Sequence, residues 1–158
     1  MDKENTLYLD LKDGRVVIEL LPKVAPKHVA RIKELVRQGF YDGIVFHRVI
    51  DGFMAQTGDP LGTGMGGSGK KLAAEFNSEP HVRGTVSMAR AMDPNSADSQ
   101  FFICFADARF LDRQYTVWGK VVSGMEFVDK IKKGDSNRNG VVYNPDKIVK
   151  MQVAADEK

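Results

Sequence analysis

Leu7-Tyr8-Leu9-Asp10-Leu11-Lys12-Asp13-Gly14-Arg15-Val16-Val17-Ile18-Glu19-Leu20 decides the fold class. Leu7, Leu9 and Leu11 alternate with Tyr8 and Asp10, and Val16, Ile18 and Leu20 alternate with Val17 and Glu19. A period of two is the signature of a half-buried strand. Asp13-Gly14 between two such runs is a hairpin signal. Working outward, similar short runs occur at 45–50, 53–57, 85–89, 101–105, 115–122 and 148–154. The pattern predicts about eight strands joined mostly without helical crossovers.

Two segments carry helical spacing instead. The first spans 26–38, with Val29, Ile32, Leu35 and Val36 on one face, Pro26 at its first position and Gly39 as its stop. The second follows Ser123. Ser123 and Glu126 form an S-x-x-E capping box, Phe127, Val128 and Ile131 form the apolar face, and Gly134 ends it. Two short helices cannot cover both faces of an eight-stranded sheet. The economical architecture is mainly β: a closed eight-stranded antiparallel barrel capped by two α-helices, one domain over residues 1–158. Side chains fill the interior of so small a barrel, so a site belongs on its outer wall or under its loops.

Composition narrows the function. Among 158 residues, Lys and Arg number 23 against 21 Asp and Glu, a net charge of +2 with no like-charge block, which argues against nucleic acid. No run is apolar enough to span a membrane, and the charged start does not read as a signal peptide. The lone Cys104 permits neither an intrachain disulfide nor a thiolate cluster. A cytoplasmic monomer is the expectation.

Six of the 15 glycines lie between positions 58 and 69. Gly64 to Lys70 reads G-x-x-x-x-G-K, but Lys71 stands where a phosphate-binding loop needs a hydroxyl, and no helix opens there. The segment reads as a flexible surface loop, and a nucleotide site is set aside. His28, His47 and His81 are too scattered to suggest a metal, and Cys104 sits in an apolar run as a packing residue. No metal or cofactor is expected.

Phe46-His47-Arg48-Val49-Ile50 followed by Phe53-Met54-Ala55-Gln56 resists so plain a reading. Alternation puts Phe46, Arg48 and Ile50 on one strand face and Met54 and Gln56 together on the next. Hydrogen-bonding groups in an apolar wall suit a small hydrophobic ligand or a peptide side chain, although an arginine covering the barrel flank would look the same. Ser99-Gln100-Phe101-Phe102, with Phe110-Leu111 after it, repeats the mixture.

The stretch from Phe46 to Asp59 resembles the signature of the cyclophilins, the peptidyl-prolyl cis–trans isomerases. Glu75-Phe76, Gly84 to Ala91, Asn95 to Ile103 and Gly119-Lys120-Val121 are similar to the same family, in order, over residues 6–153. The resemblance is to compact single-domain members of bacterial type. It implies a barrel closed by two helices, no cofactor, and proline-containing peptides or client proteins as partners. It implies Arg48 as the catalytic residue and Gln56 as its companion holding the substrate backbone. It places Phe53, Met54, Phe102 and Leu111 around the proline ring, with Ala89, Arg90 and Gln100 along the groove. Phe110 and Tyr115 stand where many eukaryotic members carry Trp and His. Phe110 lacks the indole N–H that Trp would offer cyclosporin, so weak cyclosporin binding is expected. The alternative function is a proline-peptide scaffold or chaperone whose turnover is incidental.

Overall fold

In the computed structural model, which describes residues 2–157, eight strands form one antiparallel sheet. They are β1 (Thr6–Leu11), β2 (Gly14–Leu20), β3 (Arg48–Ile50), β4 (Met54–Thr57), β5 (Thr85–Met88), β6 (Phe101–Cys104), β7 (Val117–Ser123) and β8 (Lys150–Val153). Their order is β3-β4-β6-β5-β7-β2-β1-β8. The hairpin alternation is read as expected: Leu7, Leu9, Leu11, Val16, Ile18 and Leu20 are all buried in the interior. The reversal lies at Lys12 and Asp13, because Gly14 already pairs with Leu11 as the first residue of β2. The bare Cα lets the ring of Phe127 pack against the turn: a Cβ would lie 2.5 Å from that ring, which would have to move.

The sheet curls into a barrel that is not closed strand to strand. Edge strands β3 and β8 do not pair with each other, and irregular chain fills the seam. Phe46 N–H donates to Asp146 O (2.8 Å), Gly43 N–H to Ile148 O (2.8 Å) and Val49 N–H to Gly140 O (2.8 Å). The last of these satisfies an edge group of β3 that would otherwise be free to pair with another chain. "Closed" therefore overstates the strand pairing, although the eight-stranded, mainly antiparallel architecture stands.

Helix α1 (Pro26–Arg37) buries Val29, Ile32, Leu35 and Val36 as the spacing predicts. Ala25 offers no side-chain cap, so the cap comes from a distant residue: Glu75 accepts from Lys27 N–H (3.1 Å) and His28 N–H (2.7 Å). Helix α2 (Met125–Asp129) is shorter than its pattern suggests, and the Ser123–Glu126 capping box is not made. Ser123 ends β7, and Gly124 is the N-cap at φ 87, in the left-handed region. A Cβ there would lie 2.4 Å from Arg15 O, so the close approach of β2 overrides the local cap signal. Val128 and Ile131 still reach the interior. Among the described residues no helix is long and apolar enough to cross a membrane.

Candidate active site

Strand register builds the site on the outer face of the sheet. Arg48 pairs with Gln56, Gln56 with Phe102 and Phe102 with Ser87, so these four form one row across β3, β4, β6 and β5. Ile50, Met54 and Cys104 form a second row beside it. Val49, Ala55 and Ile103 alternate inward to the main core. Phe46 departs from the predicted face. The strand begins only at Arg48, and Phe46 is fully buried in the interior core. Irregular backbone at residues 46 and 47 breaks the alternation that would have set Phe46 beside Arg48.

A second, smaller apolar cluster lies outside the barrel: Met54, Phe102, Cys104, Ala108 and Leu111, with Ile50, Phe53, Ala89 and Tyr115 packed against it. Above it opens a cavity of about 300 Å³. It is lined by Arg48, Gln56, Phe53, Met54, Ala89, Arg90, Phe102, Phe110, Leu111 and Tyr115, so the structure brings together every site residue that the family resemblance implies except Gln100. Gln100 lines an adjoining cavity of about 260 Å³ beneath the glycine-rich loop. Phe102 is almost wholly buried and forms the floor. His81 stacks beneath it (centroids 6.0 Å, planes 20° apart), and Tyr115 meets it edge-on at 5.8 Å. Phe53 and Phe110, 5.7 Å apart, form one wall, and Phe110 is 68% exposed.

The polar groups are joined. Arg48 donates through Nη1 to Gln56 Oε1 (3.0 Å), through Nε to Asn139 O (2.9 Å) and through Nη2 to Asn139 Oδ1 (3.0 Å). Of the five guanidinium N–H donors, three are engaged among the described residues, leaving one on each terminal nitrogen. Among the described residues no carboxylate lies within ion-pair distance of Arg48. Burial pushes its pKa below the ordinary guanidinium value, with a smaller opposing effect from Tyr115, yet an arginine so placed stays cationic at any working pH. Gln56 in turn donates from Nε2 to Gln100 Oε1 (2.9 Å), and Gln100 Nε2 donates to the carbonyls of Gly64 (2.9 Å) and Gly66 (3.0 Å). Both hydrogens of Gln100 are thus spent on the loop, so it braces the groove wall.

Arg90 is held flat. It donates through Nε to Gln114 O (2.9 Å) and through Nη1 to Ala91 O (2.9 Å), and its guanidinium lies 4.7 Å from the centre of the Tyr115 ring. The cation–π contact fixes both side chains at the groove edge. Burial pushes the Cys104 thiol up to about 12, so it stays protonated and serves as packing under Met54. Among the described residues no three His, Cys, Asp or Glu side chains converge as metal ligands.

Two contributors escape the sequence patterns. His81 donates through Nδ1–H to Asp112 Oδ1 (3.0 Å) and pairs through Nε2 with Ser87 Oγ (2.8 Å), which locks the ring under Phe102. No local spacing signals that pairing. Asn139 lies more than ninety positions from Arg48 in the chain, and the only hint of it was Asn139-Gly140, a turn dipeptide.

Comparison with known proteins identifies the family and the fold. Residues 6–153 match the family model described as cyclophilin type peptidyl-prolyl cis-trans isomerase/CLD. A probable peptidyl-prolyl cis-trans isomerase of Brucella suis is 59% identical, the match covering 99% of this chain and 86% of that protein. Peptidyl-prolyl cis-trans isomerase B of Bacillus subtilis is 44% identical over 82% of this chain and 92% of its own. Among solved structures, cyclophilin AquaCyp293 of Hirschia baltica superposes with a TM-score of 0.89 at 31% identity, covering all of this chain and 77% of that one. A Cryptosporidium parvum cyclophilin-type isomerase, solved in the presence of the dipeptide Ala-Pro, gives 0.85 at 29% identity, covering 94% of this chain and 98% of that one. The fold is therefore that of a cyclophilin. The chain belongs to the cyclophilin-type peptidyl-prolyl cis–trans isomerase family. Its activity is isomerisation of the X–Pro peptide bond, a rotation that needs no cofactor.

Proposed function

We propose that Arg48 lowers the barrier to X–Pro rotation and that the cavity above Phe102 receives the proline ring. The uncatalysed rotation takes tens to hundreds of seconds because the amide C–N bond has partial double-bond character. At the twisted transition state that resonance is broken, and the prolyl nitrogen carries a localised lone pair. A donor aimed at that nitrogen stabilises the twisted amide more than the planar one, as catalysis requires. The observation that carries this reading is the pair of unengaged Arg48 N–H donors at a cavity floored by Phe102, on a cation whose protein partners are all neutral. Gln56, with one amide hydrogen and further lone-pair capacity left, holds the substrate backbone while the other side of the bond turns. Phe53, Met54, Phe102 and Leu111 take the ring; Ala89, Arg90, Gln100, Phe110 and Tyr115 shape the groove.

Proline-containing segments of unfolded or folded client proteins are the substrates of this reading, and assistance to folding follows from the slowness of the uncatalysed step. The Cryptosporidium relative solved with Ala-Pro supports a proline peptide as ligand. A monomer acting in the cytoplasm completes the reading, supported by the single buried thiol of Cys104, which suits a reducing compartment. Exchange NMR on an X–Pro peptide tests it. Wild type accelerates exchange, and Arg48→Ala binds the peptide yet loses the acceleration. If Arg48→Ala lost affinity while keeping its turnover, the chain would be a binding scaffold and the arginine a docking contact.

Phe110 stands exposed at the groove rim and offers no N–H donor. Weak binding of cyclosporin follows, and Phe110→Trp should tighten it by about tenfold, the worth of one hydrogen bond. Fluorescence titration of both proteins measures the difference, and nanomolar inhibition of the wild type would contradict it.

A further inference from the structure

We propose that Asn139 is a positioning residue for isomerisation, acting as a neutral two-point clamp that aims the Arg48 guanidinium while leaving its charge uncompensated. This rests on the reading of Arg48 given above.

The segment from Gly134 to Val142 folds back on itself and lies along the open edge of β3. Gly134 N–H donates to Val49 O (2.8 Å) and Val49 N–H to Gly140 O (2.8 Å), so it continues the sheet past Arg48. Its own closure is fixed by Gly140 N–H to Asp135 O (2.9 Å) and by Asp135 Oδ1, which accepts from Asn137 N–H (2.9 Å). Fit is tight at both ends. A Cβ on Gly134 would lie 1.9 Å from Gly140 O, and one on Gly140 would lie 2.6 Å from Ile50 Cγ1 and 3.3 Å from Arg48 Cγ.

Between these glycines Asn139 adopts φ 56, the left-handed conformation that asparagine tolerates better than most residues. In that conformation its backbone carbonyl and side-chain carbonyl reach Nε and Nη2 of the same guanidinium (2.9 and 3.0 Å). A fork-to-fork contact with arginine is ordinarily supplied by a carboxylate. Here one neutral residue makes it, and the remaining partner, Gln56, is neutral too. A carboxylate at this position would fix the geometry equally well but would draw the cation's field away from the prolyl nitrogen. Neutrality is therefore the functional property, and the backbone conformation provides the geometry.

Asn139→Asp and Asn139→Gly separate the two. Asn139→Asp keeps the shape and adds an ion pair. It should lose about tenfold or more in kcat on an X–Pro peptide at pH 7, with KM and melting temperature unchanged or the latter raised. A merely structural residue would move stability and activity together. Asn139→Gly keeps the left-handed backbone and its carbonyl but loses Oδ1, and should lose about three- to tenfold in kcat. Should Asn139→Asp fail to fold, Asn139→Gly decides. A kcat within twofold of wild type in the folded variants overturns the proposal. An unaltered kcat in Arg48→Ala would instead remove the reading of Arg48, and the clamp with it.

Discussion

Two loops hold the ends of one chain of polar side chains, and they do so with opposite chemistry. The glycine-rich loop from Gly58 to Gly69 is pinned by carboxylates. Buried Asp59 accepts from the N–H groups of Leu61 (2.8 Å), Thr63 (2.9 Å) and Gly64 (2.6 Å), and Asp98 accepts from Ser68 N–H (2.7 Å), Ser68 Oγ–H (2.6 Å) and Gly69 N–H (3.1 Å). A Cβ on Gly66 would lie 2.1 Å from Asp59 Oδ1, so small residues let the loop wrap its anion. The loop beyond Gly134 meets Arg48 with neutral acceptors. Full charges serve where rigidity alone is wanted; at Arg48, in the function proposed above, the charge is kept for the substrate.

The largest expected break in that contrast is Arg48→Ala. It should lower kcat by about 10²–10³-fold, the scale of losing one transition-state donor. The melting temperature should shift by only a few degrees, because the side chain lies on the outer face and its backbone stays in β3. Stopped assays at saturating peptide and a thermal melt check the two halves.

Asp59→Ala should do the reverse. Removing one buried acceptor leaves several loop N–H groups unpaired and should cost roughly 1–3 kcal/mol in denaturant unfolding. Its effect on kcat/KM should be smaller, transmitted through Gln100, whose two acceptors, Gly64 O and Gly66 O, lie on that loop. A stable Asp59→Ala with unchanged unfolding would show that the glycines hold the loop unaided.

Acid gives the smallest and most graded effect. Burial, the main cause, pushes His28, His47 and His81 below their ordinary value of 6.5, partly offset at His28 by Glu75 and at His81 by Asp112. The unfolded chain takes up these protons first, so stability falls as pH drops from 6.5 towards the lowered folded values. Asp59 follows at lower pH. Burial pulls its pKa up, but backbone donors, Leu61, Gly64 and Thr63 among them, outweigh that and hold it below the carboxylate norm. Its contribution is complete above that norm and is lost as pH falls through the lowered value. Arg48 and its neutral partners do not titrate there. Melts from pH 7 to pH 3 should show two stages of loss, while the Arg48 side-chain N–H signals of the still-folded protein persist.

How much of this was legible depends on distance along the chain. The hairpin, the first helix and most strands follow from alternation and spacing. The family resemblance brought forward the residues that meet at the cavity, whose grouping no periodicity could supply. Local signals failed where a distant segment pressed on them. Ser123 looked like a cap until the approach of Arg15 required Gly124 instead. Phe46 left its alternation where the chain turned inward before β3. The glycine cluster reads as a flexible surface loop, yet Asp59 and Asp98 tie it down, and Asp98 is some thirty positions away.

By itself the sequence determined the period-two grammar, the mainly β class and the apolar wall carrying an arginine, because side-chain alternation is a local property of the backbone. Tertiary structure alone decided what faces that arginine. Asn139 and Gln56 arrive from separate segments, and whether a guanidinium is neutralised or merely aimed depends on which groups folding brings within hydrogen-bond reach.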